Sequence, residues 1–269
     1  MKVKNTIKKI RLHIFDYLDV ISGRRNPMIP PKHIVNINAG DSEEIGKEFL
    51  NHFVKLGGLE EEANVLDVGS GFGRMAVPLT DYLTSNSRYE GLEIISKGVD
   101  WCIRNITKRF KNFKFQKLDV KNGRYNPTGS VLAEEYKFPY KDEVFDFVIL
   151  TSVFTHMLPA DLENYLSEIS RVLKSGGTCF ITYFILNEES LDLINNGKGT
   201  FSLRYAFQDC RIETEEDPEY VIAYPEQTIE DLHGKYNLAI TSKHFGNWCG
   251  REKFTSFQDI VVAEKIKNC

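Results

Sequence analysis

Apolar and polar positions recur with two periods along this chain. Over residues 42–56, Ile45, Phe49, Phe53 and Leu56 return every three or four positions, which is the stripe of an amphipathic helix. Ser42 stands at its N-cap, Glu43 and Glu44 occupy the first turn, and Gly57-Gly58 ends it. Short apolar runs then alternate with amphipathic stretches. Residues 64–68, 89–94, 113–118, 144–150 and 178–185 read as strands, and the continuous run 144–150 is expected to be buried on both faces. Residues 74–83, 97–110 and 161–173 read as helices. The first must place Pro78 early or kink, and the last is closed by Ser175-Gly176-Gly177. Near the end, 226–236 reads as a short helix, and 238–245 and 257–264 as two strands joined only by a loop. Such a loop is too short for a parallel crossover, so the final pair is antiparallel.

Strand–helix alternation of this kind predicts an α/β domain with a mostly parallel sheet and helices on both faces. Two connections, 121–143 and 186–225, far exceed the ~2–6 residues usual between such elements. Both follow strands at their C-terminal ends, the edge where open α/β sheets bind ligands. They carry Tyr125, Tyr136, Tyr140, Tyr205, Tyr220 and Tyr224. They read as lid-like insertions, with peripheral decoration as the alternative.

The segment NPMIPP at 26–31 cannot be regular helix, which divides the chain into a leader with a proline-containing linker (1–40) and a main domain (41–269). Charge sharpens the division. Residues 1–32 carry eight Lys or Arg and two Asp, a net of +6, whereas the remainder carries −10. Within the leader Ile7, Ile10, Ile14 and Leu18 share one helical face, the mark of a solvated amphipathic helix; contact with a membrane surface is the alternative. No signal-peptide pattern and no run of about 18 apolar residues is present, so no transmembrane helix is expected. The overall charge of −4 argues against a general nucleic-acid binder. Five scattered cysteines, none in a C-x-x-C pair, fit free thiols in a reducing cytoplasm. The six histidines show no metal-ligand spacing, so no metal is expected.

Candidate chemistry centres on Val65-Leu66-Asp67-Val68-Gly69-Ser70-Gly71-Phe72-Gly73-Arg74, a strand running into a glycine bend and then a helix. The glycines allow a ligand close to the backbone, and the helix start offers N–H donors. Gly71 to Ala76 also fits a relaxed dinucleotide pattern, G-x-G-x-x-A. Charge separates the two readings. A carboxylate at Asp67 repels a pyrophosphate, which prefers bare helix N–H groups. It suits a ligand carrying an ammonium and a sulfonium, such as S-adenosyl-L-methionine. Glu93, 20 residues past Gly73 at the end of the second strand, is placed to accept from both ribose hydroxyls. Asp119, at the end of the third, is placed to accept from an adenine amino group, with Val120 among the apolar residues beside it.

The order VLDVGSGFGR, YEGLEI, QKLDV, FDFVILTSVFTHM and RVLKSGGTCFITYF resembles the class I S-adenosylmethionine-dependent methyltransferases over roughly residues 40–265. The resemblance implies a Rossmann-like seven-stranded sheet of order 3-2-1-4-5-7-6 with strand 7 antiparallel. It implies that Gly69, Ser70, Gly71 and Gly73 form the loop beneath the methionine part of the cofactor and that Asp67 contacts its amino group. Glu93 then binds ribose, Ile94 walls the adenine, Asp119 meets the adenine amino group, and the Thr151 backbone faces the methionine moiety. Arg74 either pairs with the cofactor's carboxylate or makes an ion pair on the helix surface. It implies methyl transfer to a small-molecule or glycan-type acceptor, on oxygen or nitrogen. His156, after the fourth strand, is the candidate general base, its ordinary pKa of ~6.5 suiting that task; a structural histidine is the alternative, and His244 is a second candidate. A nicotinamide-dependent oxidoreductase and a non-catalytic cofactor-binding protein on the same fold remain the other readings. A nucleic-acid methyltransferase is disfavoured by the acidic body and by the absence of an Asn/Asp-Pro-Pro-Tyr/Phe motif after the fourth strand.

Overall fold

The structure is a computed structural model describing residues 26–31 and 42–266. The predicted leader helix with Ile7, Ile10, Ile14 and Leu18 lies outside the described residues. Helix α1 (Ser42–Lys55) precedes strand β1 (Val65–Val68), helix α2 (Ala76–Tyr82) and strand β2 (Tyr89–Glu93). Helix α3 (Ser96–Cys102), strand β3 (Phe113–Lys117), strand β4 (Phe145–Leu150), helix α4 (Pro159–Val172) and strand β5 (Leu173–Tyr183) follow. Pro78 is the third residue of α2, where its missing N–H costs no intrahelical bond.

A second region then interrupts the α/β pattern. It contains β6 (Ile185–Leu186), α5 (Glu188–Asn195), β7 (Tyr205–Phe207), β8 (Cys210–Ile212) and β9 (Ile222–Pro225). The chain returns through α6 (Glu226–Lys235), β10 (Leu238–His244) and β11 (Asp259–Lys265). Among the described residues no helix is long and apolar enough to cross a membrane.

The main sheet has the order β10-β11-β5-β4-β1-β2-β3. Counting its strands along the chain, this is the expected 3-2-1-4-5-7-6. The seventh, β11, runs antiparallel to both β10 and β5, while β1, β2, β3, β4 and β5 pair in parallel. Alternate residues of the strands enter two cores. Leu66, Val148 and Leu150 pack with Leu162, Leu166 and Ile169 of α4 on one face. Val65, Phe147 and Ile149 pack with Phe53 of α1, Leu79 of α2 and Val99 of α3 on the other. Burial on both faces explains why β1 and β4 are dominated by apolar residues, with the buried Asp67 and the half-buried Asp146 as the exceptions.

Several expectations need correction. The single helix expected over 97–110 ends at Cys102 and continues as a π-turn, Ile103–Thr107. Arg104 Nε and Asn105 Nδ2 donate to the carbonyls of Asp100 and Trp101, each at 2.9 Å, competing with the helical ladder for those acceptors. Ser175-Gly176-Gly177 does not close a helix. β5 starts at Leu173 and bulges there, so that Phe145 pairs with Leu173 but Phe147 pairs with Thr178. Gly177 sits where a Cβ would approach the carbonyls of Lys174 and Asp146 to 2.9 and 3.1 Å. The strand expected to run to residue 185 leaves the main sheet after Tyr183, and Ile185 pairs with Tyr224 in a four-stranded sheet of order β6-β9-β8-β7. The connection 186–225 is therefore a small α/β unit. Its helix α5 is capped reciprocally by Asn187 and Ser190, and Arg251 ties it to the main domain through Glu189 at 2.7 Å and the buried Asp259 at 3.1 Å.

Candidate functional site

β1 carries Asp67 into the interior fully buried. The Tyr89 hydroxyl, on the neighbouring strand, donates to its Oδ2. Its Oδ1 has no hydrogen-bond partner among the described residues, and neither does the buried Ser70 Oγ three residues on. Burial pushes the Asp67 carboxyl up to about 7, against the opposing hydrogen bond from Tyr89. An orphaned carboxylate oxygen in a sheet interior is costly, and such a group is retained where a ligand completes it.

The bend after β1 is fixed by backbone demands. The N–H groups of Gly69 and Ser70 both donate to the Leu92 carbonyl, at 2.8 and 3.0 Å. Gly69 and Gly71 hold φ of +81° and +56°, conformations glycine adopts without penalty. A Cβ at Gly69 would lie 2.4 Å from Val153 Cγ2, whereas at Gly71 it would meet nothing within 4 Å. Gly69 is thus closed by the protein, and Gly71 opens onto free space. Gly73 packs against the side chains of Ile106 and Cys102.

A cavity of about 350 Å³ lies against this bend. Gly69 to Arg74 and Thr151 line it, together with α1 and the 26–31 segment. Arg74 enters it half-buried, with no ion pair among the described residues. Burial lowers its pKa, and the Asp67 charge partly opposes that. The helix-surface ion pair that was one reading of Arg74 is not formed among those residues.

Glu93 stands behind the bend. Its Oε2 accepts from Gly71 N–H at 2.6 Å and its Oε1 from Ile95 N–H at 2.7 Å. Burial raises its pKa while these two amides lower it. The side chain therefore braces the bend, and each oxygen keeps a lone pair for a further donor. Leu118 N–H donates to the Glu93 carbonyl, which sets the end of β3 beside that of β2. Ile94 is half-buried against the core. Asp119 is exposed and accepts from the Ser130 hydroxyl. Val120 is buried and pairs with Val131. Glu93, Ile94, Asp119 and Val120 share the carboxyl edge with the bend but do not line the cavity.

His156 is apart from these. It ends the 3-10 turn Phe154–His156 after β4, half-buried, and is not among the cavity-lining residues. Its Nδ1 lies 2.9 Å from the Glu219 carbonyl, and the Tyr125 ring meets it edge-on with centroids 5.8 Å apart. Burial lowers its pKa, against the hydrogen bond to Glu219. His244, the second candidate, contacts Ser242 Oγ at 3.0 Å, and Glu90 is held by Arg88 at 2.6 Å.

Three site residues escaped the reading of the sequence. Tyr89, the partner of Asp67, gave no signal beyond an aromatic residue in a strand. Gly91 lies where a Cβ would meet Phe115 at 2.5 Å and Ser70 Oγ at 2.9 Å. Gly98, where a Cβ would lie 2.4 Å from the Gly71 carbonyl, did give one: a glycine within a helical pattern calls for a packing reason.

The open face of Gly71 and the guanidinium of Arg74 line the cavity, and the orphaned Asp67 Oδ1 lies buried at the end of β1 just before the bend, outside the lining. That donor set fits the ammonium and carboxylate of an amino-acid-bearing ligand. The Methyltransferase domain family model matches residues 66–181. A sterol 4-C-methyltransferase of Caenorhabditis elegans is 24% identical over 204 residues, covering 75% of this chain and 54% of that protein, so the chain spans about half that relative's length. A SAM-dependent methyltransferase from Aquifex aeolicus superposes with a TM-score of 0.56 at 18% identity, over 88% of this chain and all of the other. The 1,6-didemethyltoxoflavin-N1-methyltransferase of Burkholderia thailandensis, solved with 1,6-didemethyltoxoflavin and S-adenosylhomocysteine, superposes with a TM-score of 0.54 at 14% identity, over 97% and 90%. The sheet order and the superpositions give the fold of the class I S-adenosylmethionine-dependent methyltransferases, and the family match over residues 66–181 covers the strands and the bend of the site. S-adenosyl-L-methionine is the cofactor of that class.

Proposed function

We propose that the chain transfers a methyl group from S-adenosyl-L-methionine to the oxygen or nitrogen of a small organic acceptor. The observation that carries this reading is the buried, unpartnered Asp67 Oδ1 beside the open bend at Gly71. Asp67 takes the cofactor's ammonium, Arg74 its carboxylate, and Ser70, Gly71 and the Thr151 backbone lie along its methionine part. Glu93 accepts from the ribose with its remaining lone pairs, while Asp119, Ile94 and Val120 serve the adenine. The cofactor supplies a methyl group already activated on sulfur, so the protein's work is to orient the partners and exclude water. The insertions 121–143 and 186–225 form the walls of the acceptor pocket. His156, kept neutral by burial, removes the proton where the acceptor is a hydroxyl.

Small organic acceptors are named for two similar proteins, a sterol and 1,6-didemethyltoxoflavin. The four described cysteines are buried free thiols, which supports a reducing, cytoplasmic setting. A nicotinamide dinucleotide fits the site less well, because its pyrophosphate would lie against Asp67. The test is a thermal shift and calorimetric titration. Stabilisation by S-adenosylhomocysteine and none by NADH is expected, and the reverse result overturns the proposal.

A further inference from the structure

We infer that Glu219 is the residue that positions His156: its carboxylate fastens the second insertion to the first, and its main-chain carbonyl fixes the tautomer of the imidazole. This deepens, and rests on, the reading of His156 as the base of a methyltransferase.

Three stretches far apart in sequence meet here. In the first insertion, Asn122 and Asn126 exchange two backbone hydrogen bonds of 3.1 Å, and Asn122 Oδ1 accepts from the N–H groups of Arg124 and Tyr125 at 3.2 and 2.9 Å. The resulting tight turn presents one side-chain donor and one backbone donor to Glu219. Asn122 Nδ2 donates to its Oε1 at 2.8 Å and Gly123 N–H to its Oε2 at 2.6 Å. Arg124 adds an ion pair with Asp217 and lies 4.8 Å above the Tyr220 ring. Next to His156 along the chain, the Met157 carbonyl accepts from the Tyr224 hydroxyl of β9 at 2.5 Å. The 3-10 turn bearing His156 is thereby held between the two insertions.

The chemical consequence follows from what a carbonyl can do. The Glu219 carbonyl at 2.9 Å from Nδ1 only accepts, so Nδ1 carries the proton. In the neutral ring the lone pair is then on Nε2, which is the state a general base needs. Without the carboxylate contacts residue 219 is tied to the turn at 122–126 only through its neighbours Asp217 and Tyr220, which bind Arg124 and do not fix the 219 carbonyl under Nδ1. Glu219 thus acts on the imidazole by holding its own backbone in place.

The experiment is nitrogen-15 NMR of the histidines in the full chain across a pH series. In the unmodified protein His156 is expected as the Nδ1–H tautomer, titrating below the ordinary 6.5. Glu219→Ala removes the carboxylate from one side. Gly123→Ala strikes from the other insertion, placing a methyl 2.5 Å from Glu219 Oε2. Both variants are expected to show mixed tautomers and, with the Glu219 hydrogen bond that supports the protonated ring loosened, a titration moved further below 6.5; Glu219→Gln, which keeps one acceptor oxygen, restores part of the signature. A purely structural role for Glu219 predicts unchanged tautomer and titration in folded Glu219→Ala and Gly123→Ala, and that result overturns the proposal. S-adenosylhomocysteine affinity is measured in parallel and is expected to be unchanged in all variants. Failure of the unmodified protein to bind it overturns the methyltransferase reading itself, and with it the catalytic meaning of the clasp, whatever the NMR shows.

Discussion

The glycine bend and the clasp around His156 lie on the same sheet edge but are built in different ways. Every part of the bend from Asp67 to Arg74 comes from eight consecutive residues, and its shape follows from left-handed glycines and a strand that points a carboxylate inward. The clasp joins Asn122, His156 and Glu219, and no local pattern announces it. The bend leaves polar groups unsatisfied, Asp67 Oδ1 and Ser70 Oγ. In the clasp both Glu219 oxygens and its carbonyl are engaged. A site that awaits a ligand stores unmet hydrogen bonds, whereas a site that holds a side chain in place satisfies them.

The largest effect that would break this comparison is at Asp67. Asp67→Asn is expected to weaken S-adenosylhomocysteine binding by about 2–5 kcal/mol in calorimetry, because the ammonium loses its charged partner. The same change should stabilise the ligand-free protein at pH 8. The folded chain binds the Asp67 proton more tightly than the unfolded chain, whose carboxyl titrates near 3.8, so ionisation on raising the pH from about 4 to about 7 costs stability. Asparagine removes that cost, and a gain of about 1–3 kcal/mol in urea melts is expected. A substitution that lowers ligand affinity while raising stability distinguishes a ligand-facing group from a structural one.

Next comes the contrast between two glycines of the bend. Gly69→Ala adds a methyl 2.4 Å from Val153 at φ +81° and should destabilise the fold by about 3 kcal/mol. Gly71→Ala, at φ +56° with open space beyond, should cost about 1 kcal/mol of stability and act mainly on ligand affinity. Equal destabilisation by both would mean that Gly71 is enclosed by protein and faces no ligand.

The smallest effect is in pH dependence. Cofactor binding needs ionised Asp67, so affinity should fall by about tenfold per unit as the pH drops below about 7. His156, whose pKa burial lowers, should titrate below 6.5 in the same series, separately from the affinity. A single midpoint for both would mean that the two regions are electrically one site.

The bend was legible because its physics is local. Gly69, Gly71 and Asp67 stand within five residues, and charge alone separated the two ligand classes. The antiparallel ending was legible too, since a loop between 245 and 257 cannot carry a crossover, whereas the strand order came from the family resemblance. Less was legible where side chains compete with backbone, as at the π-turn after Cys102, or where a strand bulges, as at Ser175-Gly176-Gly177. The length of 186–225 was visible, but its four-stranded sheet was not, because β7, β8 and β9 are three or four residues long and carry too few positions for a period to show.

Sequence alone determined the α/β pattern, the acidic strand end and the glycine bend, since these depend on residues within hydrogen-bonding reach along the chain. Only the tertiary structure decided that Tyr89 shares the Asp67 carboxylate, that Glu93 braces Gly71, and that His156 hangs from a carbonyl 63 residues away. Those contacts bridge 22 to 63 positions, and nothing in the spacing of a sequence fixes which distant backbone group comes to rest beside a given side chain.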